Sequence, residues 1–82
     1  MTTLRILIVD AEQGMRMGVR RALRGFTVDS PDGESGDISF DLDEAGTGEE
    51  ALEKISSQKP DILLLDMKLP GIDGLDVLEE IR

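Results

Sequence analysis

Residues 60–74, P-D-I-L-L-L-D-M-K-L-P-G-I-D-G, constrain the fold more than any other stretch of the chain. Ile62, Leu63, Leu64 and Leu65 form an unbroken apolar run of strand length. A run without polar alternation suits a strand covered on both faces, the pattern of parallel sheets in α/β folds. Asp66 stands at its carboxyl end, Leu69-Pro70-Gly71 turns the chain, and Asp73 is a good N-cap for a following helix. Open α/β sheets bind ligands and do chemistry at the carboxyl ends of their strands. Asp66 is therefore a carboxylate where this architecture puts its site, although a solvent-facing Asp is also an ordinary way to end a strand.

A second strand pattern, L-R-I-L-I-V-D at 4–10, also ends in an acid, Asp10. Residues 11–24 follow as a helix, with Met15, Val19, Ala22 and Leu23 as its apolar stripe and Arg16, Arg20, Arg21 and Arg24 facing water. Gly25 suits its end. Gly14 and Gly18, four residues apart, predict close backbone packing. Residues 26–29 and 38–42 alternate apolar and polar, the period of half-exposed strands, around turn chemistry at 30–37. They predict a hairpin at the sheet edge whose second arm is the sheet strand. Thr47 and Glu50 form a capping box for a helix carrying Ala51, Leu52 and Ile55 inward. After the strand at 61–66, Leu75, Leu78 and Ile81 supply the stripe of a third helix.

The order is β-α-β-α-β-α, and right-handed crossovers place the first strand between the other two. Asp10 and Asp66 then end adjacent strands on the same side of the sheet. Paired strand-end acids suit a divalent cation and phosphoryl chemistry, because oxygen ligands suit Mg²⁺.

Composition narrows the alternatives. Eighty-two residues hold at most one small domain. Without cysteine there are neither disulfides nor Cys-based metal sites. Nothing approaches the ~18 apolar residues of a membrane span, and no basic segment with a long apolar core opens the chain. The expectation is a cytoplasmic, membrane-free protein. The net charge of −9 divides into +3 over residues 1–28, −10 over 29–53 and −2 over 54–82. A −10 run repels nucleic acid, which excludes direct DNA or RNA binding as the expected function.

Two motif matches fail on their own chemistry. Residues 46–51 fit the dinucleotide fingerprint G-x-G-x-x-A, yet Glu49 and Glu50 occupy the helix N-terminus where a pyrophosphate would sit. Residues 41–46 begin like a calcium loop, but Ala45 and Leu52 fall on ligand positions.

Four motifs together carry a family resemblance: I-L-I-V-D at 6–10, A-G-T-G-E-E-A-L at 45–52, P-D-I-L-L-L-D at 60–66 and M-K-L-P-G-I-D-G at 67–74. In order and spacing they resemble a response-regulator receiver domain over nearly the whole chain except residues 26–37. The resemblance implies a flavodoxin-like, doubly wound parallel sheet, here its β-α-β-α-β-α portion with sheet order 2-1-3 and a lengthened edge hairpin. Residues 1–82 would be a partial receiver. Two further strand-helix units, carrying a phosphoryl-sensing hydroxyl residue and a partner Lys, would follow Arg82, as would an output domain.

The resemblance further implies that Asp66 accepts a phosphoryl group from a histidine kinase or phosphotransfer protein, with Mg²⁺ as cofactor. Such a domain catalyses only its own phosphorylation and dephosphorylation. Metal ligands would be Asp10, Asp66 and the backbone carbonyl of Lys68, with Glu12 a candidate fourth. Pro70, Gly71 and Gly74 match loop-shaping positions. The family usually has two adjacent acids at the first strand's end, and here Ala11 replaces the second, which weakens the expected metal site. Asp10 moving inward or Glu12 reaching back would complete it. Ala11 also leaves open a second reading, a degenerate receiver that docks partners without being phosphorylated. Residues 31–36 read as a neutral surface insertion before they read as a partner contact. With the strand at 61–66 left as an apolar edge, this piece is expected to self-associate.

Overall fold

The computed structural model describes residues 2–24 and 38–81. Six elements alternate along them: β1 (Thr2–Val9), α1 (Gln13–Arg24), β2 (Ile38–Ala45), α2 (Gly48–Gln58), β3 (Ile62–Leu65) and α3 (Gly74–Ile81). The strands form one parallel sheet in the order β2-β1-β3, as the crossover argument requires. Gly25 as helix terminator, the first hairpin arm at 26–29 and the turn at 30–37 lie outside the described residues. The second arm is present as β2, on the edge of the sheet, and it runs three residues past Leu42 to Ala45.

Register explains how the sheet divides its side chains. Leu7 pairs with Leu63 and Val9 with Leu65, and these four lie on one face because strand side chains alternate. Leu7 and Val9 are buried there with Ala45, Ala51, Leu69 and Val77, flanked by the half-buried Leu52, Ile55, Leu63, Leu65 and Ile72. This is the core, and α2 and α3 cover it. Ile6 and Ile8 point to the opposite face, also buried, on the side of α1. Helices on both faces make the sheet doubly wound and flavodoxin-like.

Two apolar stripes differ from expectation. The 62–65 run is not covered on both faces, because β3 lies at the sheet edge and α1 packs over β1 and β2. Ile62 and Leu64 are therefore exposed, and no residue of α1 is buried, with Met15 56 % exposed. In α3 the inward face runs through Gly74 and Val77, leaving Leu75, Leu78 and Ile81 outside. Gly74 must approach the chain leaving β3, and this fixes which side of α3 faces in.

The helix starts follow local chemistry. The Glu50 N–H donates to Thr47 Oγ1 at 3.1 Å, and the Glu50 carboxylate accepts from the Gly46 N–H at 2.8 Å. The expected box thus forms, with its return bond one residue further out. Lys59 ends α2 in the left-handed conformation, φ 48°, with its N–H on the Ile55 carbonyl. Asp73 caps α3 as expected, accepting from the Asp76 N–H at 3.0 Å, and Asp76 returns the bond to the Asp73 N–H at 3.1 Å. Gly14 and Gly18 do not mark close packing, since a Cβ on either would meet nothing within 4 Å.

Candidate functional site

The sheet ladder runs one step past each strand and so fixes both strand-end acids. The Asp10 N–H donates to the Ala45 carbonyl at 3.1 Å, and the Asp66 N–H donates to the Val9 carbonyl at 2.9 Å. Asp10 and Asp66 are thereby held on neighbouring strands at the same end of the sheet. Both are half-buried. They line one open cleft of about 610 Å³ together with Glu12 and Lys68, backed by Ile8, Met15, Val19 and Leu64. A second cavity of about 360 Å³, lined by Arg5, Asp41, Lys54 and Gln58 among others, holds neither strand-end carboxylate.

Each acid is anchored through one carboxylate oxygen to the amide two residues ahead. Asp10 Oδ1 accepts from the Glu12 N–H at 2.9 Å, and Asp66 Oδ1 accepts from the Lys68 N–H at 3.1 Å. Among the described residues, neither Oδ2 carries a hydrogen bond. Two backbone amides thus orient two carboxylates and leave one oxygen of each available.

The loop after Asp66 is shaped by glycine at two points. Gly71 adopts φ 74°, the left-handed region that glycine enters without strain. At Gly74 a Cβ would lie 2.5 Å from the Asp66 carbonyl oxygen and 2.7 Å from Met67 Cα, so only glycine lets α3 start this close to the acid. Gly74 N–H also donates to the Met67 carbonyl at 3.0 Å. On the α2 side, a Cβ at Gly48 would lie 2.5 Å from the Ile72 side chain, so this glycine seats the loop against the helix start.

Sequence reasoning places Arg16 and Arg20 in water, and the structure corrects this. Glu44 holds Arg16 Nε at 3.0 Å on one oxygen and Arg20 Nε at 2.9 Å on the other. Arg20 also reaches the Leu42 carbonyl, and Arg16 Nη1 donates to the main-chain carbonyl of Asp10. Lys54 bridges Asp43 at 2.9 Å and the Glu44 carbonyl. Burial alone would raise the Glu44 carboxyl, but hydrogen bonds and charge from both arginines hold it below its ordinary range. Burial likewise opposes ionisation of Asp43, and Lys54, the Glu44 N–H and Gln58 outweigh it. The signal in the sequence was the i, i+4 spacing of Arg16 and Arg20, which puts both on one helix face.

Among the described residues, no three acidic, histidine or cysteine side chains converge as a metal group. The cleft offers oxygen donors from the two strand-end carboxylates, Asp10 and Asp66, and Glu12 is also in its lining. Mg²⁺ binds proteins through one or two carboxylates while keeping several waters, so this donor set suits it. No helix among the described residues is long and apolar enough to cross a membrane.

Fold and site together define an α/β protein that presents two carboxylates at adjacent strand ends beneath a glycine-shaped loop. The chain belongs to the response regulator receiver domain family of two-component signalling, whose sequence model matches residues 6–82. It is similar to response regulator MprA of Mycobacterium ulcerans (strain Agy99), 38 % identical over 82 residues, covering 98 % of this chain and 29 % of the relative. MprA of Mycobacterium tuberculosis (strain ATCC 25618 / H37Rv) is 38 % identical over 80 residues, covering 98 % of this chain and 30 % of the relative. Among solved structures, Thermotoga maritima response regulator TrrA, in complex with Mg(2+)-BeF, superposes with a TM-score of 0.75 at 38 % identity, covering 96 % of this chain and 58 % of that one. The response regulator domain of Thermotoga maritima CheB gives 0.76 at 28 % identity, with 96 % and 52 % covered. The chain thus spans about three-tenths of the length of these curated relatives.

Proposed function

We propose that the chain is the phosphoacceptor portion of a cytoplasmic receiver, with Asp66 taking a phosphoryl group from the phosphohistidine of a histidine kinase or phosphotransfer protein. The observation that carries this is the pair of strand-end carboxylates, Asp10 and Asp66, oriented by backbone amides in one open cleft. The Lys68 N–H holds Asp66 Oδ1, which leaves Oδ2 as the attacking oxygen. Attack forms the aspartyl O–P bond as the P–N bond to the donor imidazole breaks, and the imidazole leaves with the bonding pair. The product is an acyl phosphate. Asp10, Asp66 and the Lys68 carbonyl would hold Mg²⁺, which when bound offsets charge on the phosphoryl oxygens. The β3–α3 loop keeps Asp66 at the strand end, and Gly74 keeps α3 close behind it. This chemistry is self-directed, with the protein's own carboxylate as the acceptor, and it would govern an output domain elsewhere in the full-length protein.

Exposed Ala11 and the lack of a third converging acid among the described residues favour a second reading, a docking module that is never phosphorylated. One experiment separates the two. The full-length protein is incubated with acetyl phosphate and Mg²⁺, and its intact mass is read beside Asp66→Asn. The phosphoacceptor reading expects a single phosphoryl adduct that needs both Mg²⁺ and Asp66. No adduct contradicts it and favours the docking module, and an adduct of equal yield in Asp66→Asn contradicts Asp66 as the acceptor.

A further inference from the structure

Asp10 has its side chain tied to Glu12 and its N–H tied to β2, but its carbonyl projects beyond the ladder. Arg16, one helical turn into the chain beyond it, donates Nη1 to that carbonyl. The same guanidinium donates Nε to Glu44 Oε1 at 3.0 Å, and its side chain is only 16 % exposed. Gly46 lies against it, since a Cβ there would be in van der Waals contact with Nη1 at 3.4 Å. Arg16 therefore joins the exit of β1, the end of β2 and the loop before α2. It does not line the cleft that Asp10 and Asp66 share.

We infer that Arg16 is a positioning residue for the oxygen-donor site, fixing the Asp10 peptide so that the Asp10 carboxylate stays turned toward the cleft. The inference rests on the phosphoacceptor reading for what the cleft binds. With the peptide N–H on Ala45 and the carbonyl on Arg16, the Asp10 backbone is held from both sides. That leaves the carboxylate only its χ angles to search, and ordering a donor before binding removes part of the cost of binding. It also limits how far Asp10 can move inward to compensate for Ala11. A planar fork is required, because one group must serve a carbonyl and a carboxylate at once, and a lysine ammonium on a flexible stem does not reproduce that fork.

Arg20 supplies the matched control. It pairs with the other oxygen of Glu44 and with the Leu42 carbonyl but makes no bond to Asp10. Arg16→Ala, Arg16→Lys and Arg20→Ala in the full-length protein are compared by Mg²⁺ titration calorimetry, thermal unfolding and the NMR shift of the Glu12 amide, whose N–H reports on Asp10 Oδ1. Both Arg16 variants are expected to weaken Mg²⁺ binding by about 10-fold, the low end for loss of a group that orients a metal ligand. Both are expected to shift the Glu12 amide, whereas Arg20→Ala lowers the unfolding temperature and leaves both readouts at wild-type values. Equal effects of Arg16→Ala and Arg20→Ala on Mg²⁺ binding, or a Glu12 amide unmoved in both Arg16 variants, overturn the inference. If the wild-type protein binds no Mg²⁺ and takes no phosphoryl group, the phosphoacceptor reading fails, and the Glu12 amide alone still decides whether Arg16 positions Asp10.

Discussion

Glu44 shows what single residues contribute away from the cleft. Its carboxylate is shared by two guanidiniums, and its pKa is lowered from the ordinary 4.5. A carboxyl whose folded pKa lies below its unfolded one stabilises fully above the unfolded value, and that stability is lost as pH falls through the folded value. Glu44→Gln is therefore expected to cost up to about 1 kcal/mol at pH 7, the upper range for solvent-accessible ion pairs. Its deficit relative to wild type should shrink as pH falls below 4.5. Urea unfolding of both proteins from pH 7 to pH 3 checks this, and a deficit that stays constant over the range would show that the pairs contribute nothing. Charge totals hid this network. The −10 segment reads only as a run that repels nucleic acid, yet within it Asp43 and Glu44 are tied to Lys54, Arg16 and Arg20.

At the scale of elements, the sequence carries most where chemistry is local. Thr47 and Glu50, or Asp73 before Gly74, announce helix starts through bonds spanning three or four residues, and both caps form. The Asp76 return bond was legible by the same rule and would have completed the α3 box. Thr47→Ala should cost about 1 kcal/mol by loss of the cap, measured as a lower denaturant midpoint at unchanged m-value. An unchanged midpoint would mean that the Glu50–Gly46 bond alone holds the start of α2. Periodicity is less informative where packing decides. Leu75, Leu78 and Ile81 look like an inward stripe, but the approach of Gly74 to Asp66 and Met67 rotates α3 onto Val77. No local pattern records that contact, because its two sides belong to different elements.

For the whole molecule, strand order and the adjacency of Asp10 and Asp66 follow from β-α-β connectivity and crossover handedness alone, and both appear as expected. The exposure of Ile62 and Leu64 does not, since it depends on where α1 comes to rest. β3 is the sheet's edge on the apolar side, and such an edge invites pairing with another chain. The 82-residue chain alone is accordingly expected to associate with concentration in light scattering, and Leu64→Lys should reduce this by placing a charge on the edge. A monomer at high concentration, or association unaltered by Leu64→Lys, would contradict the edge as its cause.

The central claim is that Asp66 becomes an acyl phosphate, and locating the phosphoryl group tests it most directly. The full-length protein is phosphorylated with acetyl phosphate and Mg²⁺, reduced with borohydride and mapped by peptide mass spectrometry. Borohydride converts a phosphorylated aspartate to homoserine and leaves a free carboxylate unchanged. The account predicts homoserine at position 66 and unmodified aspartate at Asp10. Homoserine at another acid, or none in protein that carries the phosphoryl mass, would contradict it.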